Sequence, residues 1–259
     1  RELTDLYPQR EHRIGEVVLD VKDFSLGNHF QNVSFQLHAG EVLGFAGLDS
    51  SGANAVTKTL FGLCGTPSGS VQCGGVKLES FKPAKSIKNN IAFLPEDRKT
   101  QGLFLNQNLV SNITISSLGH LFSRHSVLKR GDEVAASRNV VDRLHVKAAG
   151  LHTRPEELSG GNQQKVLLGR WMIDAYKVLI MEEPTRGVDV GAKSEIYAQI
   201  NQLAEKGLAV IMYSTEMPEL LGMCDRKIPI EGGGVERYPR WTFWSTMQNG
   251  VTIVHVDLL

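Results

Sequence analysis

The sequence runs to 259 residues, and its 28 lysines and arginines match its 28 aspartates and glutamates, for a formal net charge of +0. That balance gives no basic footprint for nucleic acid, and the length suffices for one large domain or two unequal lobes with a full core. No apolar run approaches a membrane span in length, and the start carries no signal-peptide pattern.

Residues 1–15 are charged and aperiodic and read as a linker. Glu16 to Phe24 and Val33 to Leu37 alternate in the manner of strands, and His38-Ala-Gly-Glu41 turns into a central strand, Val42 to Ala46. Gly47-Leu-Asp-Ser-Ser-Gly-Ala-Asn54 then stands between a strand and a helix over Ala55–Phe61. Gly47 and Gly52 have the separation of a phosphate loop, G-x-x-x-x-G-K-[ST], but Ala53 replaces the lysine and Asn54 the metal-binding hydroxyl. Lys58 is no simple replacement, since five helical residues turn it about 140° away and raise it about 7.5 Å. What survives is a helix N-terminus able to receive phosphate. What is lost is a charge-assisted contact worth about 1.5–3 kcal/mol. The 26 glycines suit loops that approach phosphates closely. Cys64, Cys73 and Cys224 have neither metal-ligand spacing nor an even framework, and read as reduced thiols.

Val71 to Leu78 reads as a strand with a turn at Gly74-Gly75, and Ile91 to Glu96 as another. Asp97 to Leu103, taken alone, is a charged surface loop. Residues 104–157 are mixed helical segments, in which Val140, Val141, Leu144 and Val146 recur at packing distance. Leu158-Ser-Gly-Gly-Asn-Gln-Gln164 opens a helix running through Met172, and its serine and glycines offer a hydroxyl and backbone N–H groups to an anion. Val178 to Met181 is a short apolar strand that delivers Glu182 and Glu183 at its carboxyl end, where parallel sheets bind ligands. Paired carboxylates there can hold Mg²⁺ and orient a nucleophilic water. Ser194 to Leu203 is an amphipathic helix, and Leu208 to Tyr213 a further buried strand. Ile228 to Val235 can make a hairpin. Trp241, Trp244 and Thr252 to Val256 follow no recognisable pattern, and the tryptophans read as packing.

Leu158 to Gln164, the strand into Glu182-Glu183 and Pro184-Thr-Arg-Gly-Val-Asp-Val190 together resemble the signature motif, Walker B strand and D-loop of ABC ATPases, over roughly residues 16 to 226. The leader, the run Pro95-Glu-Asp-Arg-Lys99, the pair Gln163-Gln164, Gly169-Arg-Trp171 and Thr185 to Lys193 are similar to the second nucleotide-binding half of bacterial monosaccharide importers. The resemblance implies a P-loop α/β core with an antiparallel β subdomain and an inserted helical subdomain over about 104–165, preceded by linker 1–15 and followed by a divergent segment, 227–259. It implies ATP and Mg²⁺ as ligands. Gly47, Ser50, Ser51, Gly52, Ala53, Asn54, Glu96, Ser159, Gly160, Gly161, Gln163, Asp189 and Thr215 stand at nucleotide-contacting positions, Asn54, Glu96 and Glu182 at metal positions, and Glu183 at that of the catalytic base. Phe24, His29 and Phe30 are candidates for stacking on adenine, and each also reads as core or loop.

Ala53, Asn54, Glu96, Glu182 and Thr215 all depart from the family pattern, while the signature is intact. The resemblance therefore implies a degenerate site that completes the ATP site of a partner half, beside a membrane permease and, indirectly, a solute-binding protein, on the cytoplasmic face of the membrane. Two alternatives share much of the pattern: a soluble ABC protein acting on ribosomes or DNA, and a regulatory module that binds nucleotide without turnover. The short stretch between Glu96 and Leu158 leaves no room for the long coiled coil of chromosome-maintenance ATPases.

Overall fold

The computed structural model describes residues 6–11, 14–47, 51–124, 127–230, 241–248 and 251–258, the last two spans by backbone pairing alone. The alternating opening folds into β1 (Val17–Leu26) and β2 (Phe30–His38), antiparallel to each other. After β3 (Val42–Ala46) and α1 (Ala53–Phe61), β4 (Ser68–Cys73) and β5 (Val76–Lys77) complete a four-stranded sheet in the order β2-β1-β4-β5. The break between β4 and β5 falls at Gly74 and Gly75, with φ of 56° and 79°, a left-handed turn that glycine adopts at little cost.

A short helix, α2 (Pro83–Lys88), leads to β6 (Ile91–Leu94). The helical region contains α3 (Leu109–Thr114), a two-strand ribbon of β7 (Ser123–Arg124) and β8 (Val127–Leu128), and α4 (Arg130–Arg143). Then come α5 (Gly160–Arg170), β9 (Val178–Glu182), α6 (Val190–Glu205), β10 (Ala209–Ser214), α7 (Met217–Met223) and β11 (Arg226–Pro229). α6 begins earlier than its apolar pattern predicts because Asp189 Oδ1 accepts from the Ala192 N–H at 3.0 Å, capping the helix.

Five strands form a parallel sheet in the order β11-β3-β10-β9-β6. Successive side chains of β3, β6, β9 and β10 enter two different cores, which is why these strands read as unbroken apolar runs. Val42, Leu94, Leu179, Met181 and Met212 pack with the helical side, while Leu43, Phe93, Ile180, Ile211 and Tyr213 pack with α1 and the antiparallel sheet. Register pairs Ser214 with Ala46 and Tyr213 with Glu182. The loop after β3, the carboxylates after β9 and the segment after β10 therefore leave the sheet at one edge. No helix among the described residues is long and apolar enough to cross a membrane.

β11 joins the sheet beside β3, so Ile228 and Pro229 are strand residues of the core sheet. Ile230 follows, its N–H donating to the Ala46 carbonyl at 3.0 Å, and residues 231–235 of the expected hairpin lie outside the described residues. β12 (Trp241–Gln248) and β13 (Val251–Leu258) pair antiparallel, from Trp241 with Leu258 to Gln248 with Val251. The side chains of Trp241 and Trp244 lie outside the described residues.

Part of the opening segment is docked. Leu6 and Tyr7 pack on the helical-side core, and the Tyr7 and Tyr197 rings stand 5.2 Å apart. Gly222 makes room for the Tyr7 ring, which any Cβ there would strike. Asn201 Nδ2 donates to the Pro8 carbonyl at 2.6 Å. Arg10 forms an ion pair with Asp225, their side chains 4% and 7% exposed, and Asp225 Oδ2 also accepts from the Val42 N–H at 2.8 Å. Aperiodic sequence announces none of this, because the segment makes no regular element for a period to report.

Removing one member of a buried pair leaves the other charge poorly compensated. Arg10→Ala is expected to lower the unfolding free energy by about 3 kcal/mol, read from urea denaturation. A midpoint within error of the parent protein would mean that Arg10 is replaced by water without loss.

Candidate functional site

At the shared sheet edge, α1 starts from Gly52, whose φ of 86° is left-handed. A Cβ on Gly52 would run into the carbonyl oxygen of His29, and one on Gly47 into the Ser51 side chain. Both glycines are thus required by close approach, as the loop spacing predicts. The Ala53 N–H donates to Ser51 Oγ at 3.3 Å, while Leu48 to Ser50 lie outside the described residues. Ala53 is buried in the core cluster of the antiparallel sheet. Phe24 and Phe30 are wholly buried there too, rings 5.3 Å apart, so neither offers a face for adenine; His29 is exposed.

The two carboxylates have different surroundings. Glu182 is 0% exposed, and burial pushes its carboxyl above the usual range. Its Oε1 accepts from Thr57 Oγ1 at 2.5 Å, and Thr57 also lies 2.7 Å from the Asn54 carbonyl. Its Oε2 has no hydrogen-bond partner among the described residues but faces Lys58 Nζ at 3.7 Å. Glu183 follows with φ of 44°, a left-handed conformation that costs a non-glycine residue strain. Three contacts hold it there. Its N–H donates to Tyr213 O at 2.8 Å, its Oε1 accepts from the Thr215 N–H at 2.6 Å, and its Oε2 lies 3.4 Å from Ser214 Oγ. Thr215 thus engages the proposed base through its backbone, whatever its side chain lacks.

Glu96 ion-pairs with Arg186, and Glu182 is engaged by Thr57 and Lys58, while the Asn54 contact with Thr57 is made by its backbone carbonyl. Among the described residues no three His, Cys, Asp or Glu side chains gather as a metal site. As arranged, these residues do not fit a divalent cation.

The glycine-rich turn before α5 is built separately. Ser159 is exposed, and its Oγ accepts from Asn162 Nδ2 at 2.9 Å. Gly161 lies so close to Ala192 that a Cβ would displace α6. Gln163 is buried and donates to the Pro155 and Leu158 carbonyls at 2.8 and 3.3 Å, so its amide serves the turn. Arg98 clasps this turn to the segment after Glu183. It donates to Arg186 O at 2.6 Å, Gly187 O at 3.1 Å and Gln163 Oε1 at 3.3 Å. A Cβ at Gly160 would sit 2.8 Å from Arg98 Nη2 and 3.0 Å from Gly187 O. Asp189 is spent on capping α6.

Behind Glu183, Glu219 Oε1 accepts from Thr185 Oγ1 at 2.7 Å and from Tyr197 OH at 2.9 Å. Burial raises the Glu219 carboxyl, against the opposing pull of hydrogen bonds from Ser214, Thr185 and Tyr197.

A glycine loop on a helix N-terminus, strand-end carboxylates and a glycine-rich helix start, set on a parallel sheet with an antiparallel sheet beside it, define an ATP-binding cassette of P-loop type. The profile of the ABC transporter family matches residues 30–186, and the chain belongs to that family. It is 45% identical over 91% of its length to a putative ribose/galactose/methyl galactoside import ATP-binding protein of Rhizobium johnstonii, covering 46% of that protein. A similarly named protein of Burkholderia cenocepacia is 44% identical over 90% of this chain and 44% of its own length. The chain thus spans about half the length of these relatives. Its fold is shared with a nucleotide-free ATP-binding cassette from an ABC transporter, at TM-score 0.73 and 20% identity over 84% of this chain and 89% of the other. A dimeric cassette bound to ADP and Pi aligns at TM-score 0.68 and 19% identity, over 85% and 97%.

Sequence reasoning missed Thr57, Arg98 and Glu219. Arg98 had a visible signal in the run Pro95 to Lys99, whereas Thr57 and Glu219 act across the sheet edge and leave no local pattern.

A carboxyl whose folded pKa is raised binds its proton more tightly in the folded state, so its stabilisation is full below the unfolded value and lost as pH rises through the folded one. Glu182 and Glu219 both do this, starting from 4.5. Stability should therefore fall as pH rises above the ordinary carboxylate range. Glu219→Gln should remove part of that slope and Glu182→Gln the rest, read by denaturant titration across pH. A slope unchanged in both variants would assign it elsewhere.

Proposed function

We propose that this chain is an ATP-binding half of an ABC importer for ribose, galactose or a related monosaccharide, and that it is the second half. The substrate class comes from the names of relatives 45% and 44% identical to it, and nothing in an ATPase half selects among sugars. The leader, the run Pro95 to Lys99 and Gly169-Arg-Trp171 support the second position. In this reading the protein sits peripherally on the cytoplasmic face of the membrane, against permease subunits that a solute-binding protein feeds.

One contrast carries the division of labour. The cradle lacks its lysine at Ala53, Glu183 is held by the segment after β10, and Glu182 by Thr57 and Lys58. The α5 turn, by comparison, presents an exposed Ser159 and two glycines at the N-terminus of an 11-residue helix, where a dipole and unpaired N–H groups receive phosphate. In a head-to-tail dimer Ser159, Gly160 and Gly161 would complete the ATP site of a partner half that carries a full loop. The chain's own site would bind nucleotide weakly and hydrolyse it slowly, because the loop lacks its lysine at Ala53 and Thr215 stands where the family carries the switch histidine. Closure would reach the permease through Glu96 and the helical segment.

Ser159→Asp tests this with little damage to the fold, since aspartate is a favoured helix cap. Its carboxylate would face the partner's γ-phosphate at roughly 4 Å, a repulsion of about 4 kcal/mol at an effective dielectric near 20. In the assembled importer, ATP hydrolysis and transport are expected to fall by at least about 100-fold. Glu183→Gln in the same assembly should cost less than about tenfold. If Ser159→Asp is tolerated while Glu183→Gln eliminates turnover, this half contains the working site and the assignment is reversed.

A further inference from the structure

The lysine missing at position 53 has a counterpart one and a half turns further along α1. Lys58 reaches back to the strand-end carboxylate, its Nζ 3.7 Å from Glu182 Oε2 and its side chain 26% exposed. Thr57 closes the other oxygen at 2.5 Å. Two consecutive helix residues thus give Glu182 a hydroxyl donor and a positive charge, the two things that a phosphate-loop hydroxyl and a bound metal ion supply to such a carboxylate. A buried carboxylate is costly without a cation or donors, so this partnership holds in the absence of ligand.

Mg²⁺ needs oxygen ligands at 2.0–2.1 Å in near-octahedral array. An ion on Glu182 Oε2 would lie within a few ångströms of the ammonium, like charge against like charge. The other expected positions add no free charge, because Glu96 is paired with Arg186 and Asn54 brings a neutral amide in place of the hydroxyl of the family pattern. We propose that Lys58 is the resident counter-cation of this site, and that the cradle takes the phosphates of a nucleotide without a divalent metal. The second clause rests on the nucleotide-site reading above; the first stands without it.

Mn²⁺ serves as a paramagnetic probe of the purified chain, first with no nucleotide present. The parent protein is expected to show no Mn²⁺ site tighter than about 1 mM. Lys58→Met should gain one at least about tenfold tighter, which adding Glu182→Gln removes, whereas Lys58→Arg should behave as the parent. In a second arm, a fluorescent ATP analogue is titrated in Mg²⁺ and in EDTA. The parent's affinity should agree within about twofold between the two media, while Lys58→Met should bind at least about tenfold tighter with Mg²⁺. The proposal is overturned by a parent Mn²⁺ site that Glu182→Gln abolishes. It is equally overturned by parent nucleotide binding that needs Mg²⁺ tenfold or more, or by a folded Lys58→Met that gains no Mn²⁺ site. Should Lys58→Met not fold, the parent against Glu182→Gln decides in its place. No nucleotide binding in either medium would count against the nucleotide site, and the Mn²⁺ arm would still decide the role of Lys58.

Discussion

The in-register alignment of β3, β10 and β9 is the constraint from which the site follows. Pairing Ser214 with Ala46 and Tyr213 with Glu182 ends the three strands at one level. A slip of one residue on any strand would turn its apolar side chains to the opposite core and carry its loop out of reach. The register is held because both faces are buried, and the cluster at the edge inherits that rigidity. Thr57 can meet Glu182, and the Thr215 N–H can meet Glu183, only because the sheet sets their heights.

The central part of the fold was legible because it obeys simple periods. Val42 to Ala46 and Val178 to Met181 are apolar without break, as strands buried on both faces must be, and Gly47 and Gly52 stand where a loop has to approach other backbone closely. What the sequence hides is where long polar side chains go. Lys58, judged by helical geometry alone, is turned away from the loop; the carboxylate it reaches lies 124 residues later. Arg98, in a run that reads as solvated charge, ties the turn before α5 to the segment after β9 through two backbone carbonyls and an amide. Contacts of this kind depend on tertiary placement, and even where a run such as Pro95 to Lys99 marks the residue, its partners cannot be read from local pattern.

Arg98 also joins regions that could otherwise move independently. Its guanidinium is drawn partly out of water, which lowers its pKa against the opposing influence of Asp97. Gly160 and Gly187 leave it the space to lie between them. Displacement of the helical segment would therefore be felt at the segment following Glu183 through one side chain, without any change in the sheet.

The docked opening segment moves the edge of the folding unit. A boundary drawn where strand alternation begins, at Glu16, would discard Tyr7 and Arg10. It would bare the Tyr197 ring and the hollow at Gly222, and strip the guanidinium from Asp225 at the start of β11. Among the described residues β11 pairs with β3 alone, at the edge of the sheet, and Asp225 also receives the first N–H of β3. Trimming a segment that looks dispensable would thus loosen the sheet at the margin opposite β6, on the strand that carries the phosphate loop.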